Sequence, residues 1–177
     1  FTFAETEDAE ATDPKFAPIT LMVTQESPLK TPDGYNRVDI EAGYHDDYEL
    51  EFSEEETVYY FKKGLHEISS VNVPSNSILY LERGAYLKVT DRGSDGTGWN
   101  TITALHTENT ENVQILGRGL LDTGEVLGGD NKRKHVVNVG SAENVLIEGL
   151  TVINSNTWTM CAYNSDNVRF NSNLLLS

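Results

Sequence analysis

Residues 111–122 read ENVQILGRGLLD, and the pattern returns twice, as ENVLIEGLTVIN at 143–154 and as DNVRFNSNLLLS at 166–177. Each copy opens on an acidic residue, an Asn and a Val: Glu111-Asn112-Val113, Glu143-Asn144-Val145 and Asp166-Asn167-Val168. The triplets are 32 and then 23 residues apart. Each is preceded at equal distance by a second short apolar segment: TALHTENT (103–110), HVVNVGSA (135–142) and WTMCAYNS (158–165). A looser copy, ILYLERG at 78–84, aligns its Arg83-Gly84 with Arg118-Gly119 at an offset of 35.

A unit of two or three short strands, a fixed Asn corner and insertions of variable length describes one rung of a parallel solenoid. One rung cannot bury its own apolar face, whereas stacked rungs share a continuous core of Val, Ile and Leu. Asn tolerates the left-handed backbone of a sharp corner, and its amide can bond the Asn above and below. Asn112, Asn144 and Asn167 are therefore expected to form a ladder along one edge. The insertions, 91–100 and 123–134, are rich in Gly, Asp or charge, as loops between rungs should be. A β-sandwich with coincidental triplets is the alternative.

The remaining sequence is consistent with an all-β chain, because no stretch sustains the 3.6-residue period of an amphipathic helix. Residues 1–15 are polar and acidic and read as a flexible lead-in. Residues 16–56 carry short apolar alternations broken by Ser27-Pro28 and Pro32-Asp33-Gly34, the texture of a small antiparallel β cap or sandwich. Residues 57–177 hold the rungs.

The 177-residue chain has 13 Lys+Arg against 28 Asp+Glu, a formal charge of −15. Residues 1–56 hold 16 of those acids and only 3 bases. Nucleic-acid binding needs a basic footprint, which this balance opposes. No apolar run approaches the ~20 residues of a membrane-spanning helix, so neither nucleic acid nor a membrane is an expected partner. The single Cys161 excludes an internal disulfide framework. His45, His66, His106 and His135 show no metal-ligand spacing, so neither a metal nor any other cofactor is expected.

Three stretches carry a family likeness: VYYFKKGLHEISSVNVPSNSILYLERGAYLKV (58–89), ENVQILGRGLLDTGE (111–125) and ENVLIEGLTVINSNTWTM (143–160). Together they make the chain resemble the right-handed parallel β-helix proteins of the pectin-lyase-like class. The nearest likeness is to the polygalacturonase-like glycoside hydrolases of family 28 and their dextranase-like relatives. The resemblance implies a right-handed parallel β-helix behind a small β cap, an extracellular or periplasmic location, and a polysaccharide substrate, either an acidic uronate polymer or a neutral one. It also implies inverting hydrolysis by paired aspartates, which needs two carboxyl groups ~6.5–9.5 Å apart. Members carry those acids in Asn-Thr/Ser-Asp-Gly and Gly-Asp-Asp contexts, joined by Gly-His-Gly and Arg-Ile-Lys. None occurs here in the right surroundings. The chain is thus expected to hold a cap and the first rungs, ending before the catalytic ones, and to lack catalytic residues.

Asn164-Ser165-Asp166 imitates the first of those contexts, but Asp166 occupies the corner slot of Glu111 and Glu143. Asp46-Asp47 lies in the acidic cap segment and reads as exposed charge. Asp122-Thr123-Gly124 matches the aspartic-protease triplet, whose chemistry needs a second, proton-sharing Asp. Trp158 aligns with His135 one rung earlier, at the start of the strand that would carry catalytic acids in later rungs. An indole there can pack on a sugar ring or serve as an ordinary buried aromatic. Lys132-Arg133-Lys134 enters the same strand, where Arg133 and Lys134 could attract uronate carboxylates or simply be solvated. The candidate substrate-binding set is therefore Trp158, His135, Arg133 and Lys134. Cys161 reads as a small core residue. Two other functions fit such a scaffold: a polysaccharide lyase, and a non-catalytic glycan-binding β-helix of tailspike or adhesin type.

Overall fold

A computed structural model describes residues 30–45, 56–68, 70–90, 102–124, 134–155 and 158–176. Among them every regular element is a strand and every strand pair is parallel. Sheet I stacks β1 (Asn36–Ile40), β3 (Thr57–Phe61), β6 (Ser77–Leu81), β9 (Glu111–Gly117), β12 (Glu143–Glu148) and β15 (Asp166–Asn171) in that order. Sheet II stacks β2 (Gly43–His45), β4 (Gly64–Ile68), β7 (Ala85–Val89), β10 (Leu120–Asp122), β13 (Thr151–Ile153) and β16 (Leu174–Leu176). Sheet III stacks β5 (Val71–Asn72), β8 (Ile102–Glu108), β11 (Lys134–Gly140) and β14 (Met160–Tyr163). From β3 onward the chain visits sheets I, II and III in turn, adding one strand to each per circuit; residues 46–55, between β2 and β3, lie outside the described residues. This is a parallel β-helix.

Inward side chains of the three sheets meet in one continuous core. Phe61, Leu81, Ile115 and Ile147 contribute from sheet I, Leu87, Leu121 and Val152 from sheet II, and Leu105, Val137 and Val139 from sheet III. Alternation sends their neighbours outward. It breaks at Ala104-Leu105 and Val136-Val137, where two successive residues are fully buried. That break lets both His135 and Asn138 face outward from β11.

The corner between sheets III and I is built by residues in the left-handed region. Asn76, Asn112, Asn144 and Asn167 have φ of 53°, 56°, 56° and 48°. Their amides form a ladder: Asn112 Nδ2 donates to Asn76 Oδ1 at 3.0 Å, Asn144 to Asn112 at 3.2 Å, and Asn167 to Asn144 at 2.7 Å. Asn76 is an additional member, standing in Ser75-Asn76-Ser77 without the acidic residue and Val that mark the others. Three residues upstream, Asn109, Ser141 and Asn164 are also left-handed, so each of these corners turns twice.

The antiparallel expectation for the cap does not hold in its described part, residues 30–45. β1 pairs with β3 and β2 with β4 in parallel, forming one more rung of the same coil. The Pro32-Asp33-Gly34 turn precedes it, closed by Tyr35 N donating to Pro32 O at 3.1 Å. The lead-in 1–15 and the cap segments 16–29 and 46–55, with Asp46-Asp47, lie outside the described residues. The Arg-Gly alignment at an offset of 35 also resolves differently. Leu81 pairs with Gly117 but Tyr86 pairs with Leu120, because the earlier corner is two residues longer.

Candidate functional site

The outward face of sheet III gathers the chemically distinctive side chains. Three rows cross it. In the first, Val136 N donates to Trp158 O, which sets Trp158 beside His135, and the two rings stack at 5.2 Å with a 15° interplanar angle. Trp158 is 68% exposed and stands at the entry to β14, the last strand of sheet III among the described residues. In the second row, Asn72, His106, Asn138 and Cys161 lie in register on successive strands. In the third, Glu108, Gly140 and Tyr163 do the same.

The middle row is tied together by hydrogen bonds. The Cys161 thiol donates to Asn138 Oδ1 at 2.7 Å and stands 3.8 Å from His135 Nδ1. Ser70 Oγ is 3.3 Å from His106 Nδ1. Burial holds the His135 imidazole below its ordinary pKa and pushes the Cys161 thiol up, so both are neutral near pH 7. A thiol donating to an amide, with its pKa raised, is not an activated nucleophile. The expectation that Cys161 sits in the core is corrected: it is half-buried on the outer side, because the double inward step at Val136-Val137 shifts the phase of this row.

Of the substrate-binding set, the structure brings Trp158 and His135 into direct contact. Arg133 lies outside the described residues, and Lys134 is described only through its backbone as the first residue of β11. Sequence reasoning missed Glu108 and Tyr163, which meet across two rungs, Tyr163 Oη donating to Glu108 Oε1 at 3.2 Å. Glu108 is the one carboxylate on the outward side of sheet III among the described residues.

The other acidic candidates have structural surroundings. Asp122 ends β10 and accepts from Tyr86 Oη at 2.6 Å, Asn154 Nδ2 at 2.9 Å and Gly124 N at 2.8 Å. Burial pushes its carboxyl up, but these bonds and nearby Lys88 outweigh that and hold it below the usual range. No second Asp shares its proton among these partners. Asp166 stands in register with Glu143, and Glu143 with Glu111, one strand spacing apart at the Asn corner. They line a shallow groove of about 980 Å³ with Ser75, Asn109 and Ser141. Far from sheet III, His45 Nε2 lies 3.0 Å from Nδ1 of the fully buried His66, whose Nε2 lies 2.7 Å from the Lys62 carbonyl.

No protein-family profile and no curated protein matches this chain. Among solved structures, the chain is similar to one described as "a putative glycosyl hydrolase from Parabacteroides merdae", at a TM-score of 0.57 and 20% identity. The match covers 67% of this chain and 59% of that one, so this chain spans less than two thirds of its neighbour's length. At that identity the likeness is one of fold.

Proposed function

We propose that this chain belongs to a polysaccharide-cleaving glycoside hydrolase and that the outward face of sheet III is a sugar-binding face. The observation that carries the reading is the parallel stack of Trp158 on His135, on an outward β-helix face lined with polar groups. A flat, rigid aromatic on an outward face suits the apolar side of a pyranose ring. His106, Asn138 and Glu108 on the same face offer hydrogen-bonding atoms for hydroxyls. The fold likeness to a protein described as a glycosyl hydrolase supports the class.

In this reading the mechanism is polygalacturonase-like inversion, one acid protonating the leaving oxygen and another activating water. The family resemblance puts the acid pair of this reading on rungs other than those described. The basic run Lys132-Arg133-Lys134 leading into β11 favours a polymer containing uronates, acted on outside the cytoplasm. Affinity electrophoresis through gels containing polygalacturonate, pectin, xylan, mannan or β-glucan tests the reading. At least one polymer should retard the protein, and Trp158→Ala should abolish the retardation. Unretarded migration through every gel, or retardation indifferent to Trp158→Ala, overturns it.

A further inference from the structure

Tyr163 does not stand up from sheet III. A Cβ on Gly140 would lie 2.5 Å from Tyr163 Cζ, so the ring lies down over the glycine of the neighbouring rung. Its hydroxyl then reaches Glu108 one rung further on, at 3.2 Å. The phenol is thereby pinned at its tip, its inner side packed on Gly140, and it remains 48% exposed. Any side chain at position 140 would lift it. The ring is a fixed platform, as Trp158 is on His135.

Both platforms project from the same stretch of chain, Trp158–Tyr163, whose five steps span at most ~16 Å. Between them runs the polar floor of His106, Asn138 and Cys161. Resting on the reading of sheet III as a sugar-binding face, we infer that a single oligosaccharide lies along this one rung, one ring at Trp158 and another on Tyr163, the sugar at Tyr163 being uncharged. The charge assignment comes from Glu108, whose carboxylate beside the second platform repels a uronate and accepts from neutral hydroxyls.

Calorimetry with oligosaccharides from two to six units of the polymer that retards the full chain tests this, with the hexagalacturonate as charged comparator. Affinity should rise steeply between the disaccharide and the longer oligomers. Trp158→Ala and Tyr163→Ala should each cost about tenfold on the hexasaccharide, the upper end of one stacking contact. Gly140→Ala should do the same by displacing the phenol, with Trp158 intact. Tyr163→Phe should lose less. Glu108→Gln should improve binding of the hexagalacturonate relative to a neutral hexamer. If Trp158→Ala abolishes binding while Tyr163→Ala and Gly140→Ala leave it unchanged, the second platform is refuted and the sugar-binding face stands. If no polymer binds, both fall. An unaltered melting temperature for Tyr163→Ala separates lost contact from lost fold.

Discussion

Replacing Asn144 tests the corner ladder most directly, since that residue sits inside it with φ of 56°, donating to Asn112 and accepting from Asn167. Ala at this position loses both amide bonds, which at a solvent-exposed edge contribute about 0.5 kcal/mol each. It must also hold a left-handed backbone, at a cost of about 1–2 kcal/mol. The expected destabilisation is therefore about 2–3 kcal/mol for Asn144→Ala. Gly loses the same bonds without the backbone strain, and its greater unfolded-state freedom adds back about 0.5–1 kcal/mol, giving about 1.5–2 kcal/mol. Asn167→Gly, at the end of the ladder with one such bond, should cost about 0.5 kcal/mol less than Asn144→Gly. Urea unfolding followed by far-ultraviolet circular dichroism, at unchanged denaturant slope, measures all three. Equal losses for Ala and Gly, or all three within the ±0.5 kcal/mol of ordinary surface substitutions, would refute the idea that the corners depend on left-handed, mutually bonded Asn.

Gly149 has φ of 84°, and a Cβ there would run into the Gly117 carbonyl and the Arg118 guanidinium. Gly149→Ala should therefore destabilise by about 2–5 kcal/mol, measured by the same unfolding assay. Ile147→Ala removes a fully buried side chain paired with Ile115 and Phe170, for about 2–5 kcal/mol. Phe170→Ala, 42% exposed, should cost clearly less. Burial holds the His66 pKa below its ordinary value, so the folded state disfavours the proton. The stability it contributes is complete above the unfolded-state value of about 6.5 and falls as pH drops toward the lowered folded value. His66→Phe should flatten that part of the stability–pH curve; an identical curve for the variant would disprove the assignment. Asp122 behaves with its own sign, its lowered pKa making stability present above about 3.9 and lost on further acidification. Asp122→Asn should remove that acid limb.

The coil was legible because its corners demand an uncommon backbone that few residue types accept. Asn112, Asn144 and Asn167 advertise that demand, and the alternating runs after them supply the core. Asn76 meets the same demand but stands between serines, so it carries no triplet to match. The second left-handed position is filled by Asn109, Ser141 and Asn164, a mixture with no single letter to recognise. β1 and β2 escaped as a rung because they lie at the end of the stack, where Val38 and Tyr44 stay exposed and the strands read as half-solvated. The candidate site was legible only where one rung aligns directly with the next, as Trp158 does with His135. Cys161 was misplaced because a free thiol reads as a small hydrophobe, whereas its slot pairs with the outward Asn138. Tyr163, Gly140 and Glu108 also fall in one slot of the aligned segments, but three unlike residue types give that row no common letter to mark it. In a solenoid the face that meets a ligand is a column across rungs. Strand register, fixed by the inward residues, therefore sets which side chains share that face, so altering the length of one loop without changing any strand should leave both the core and the row intact, whereas a one-residue slip inside a strand would dismantle both.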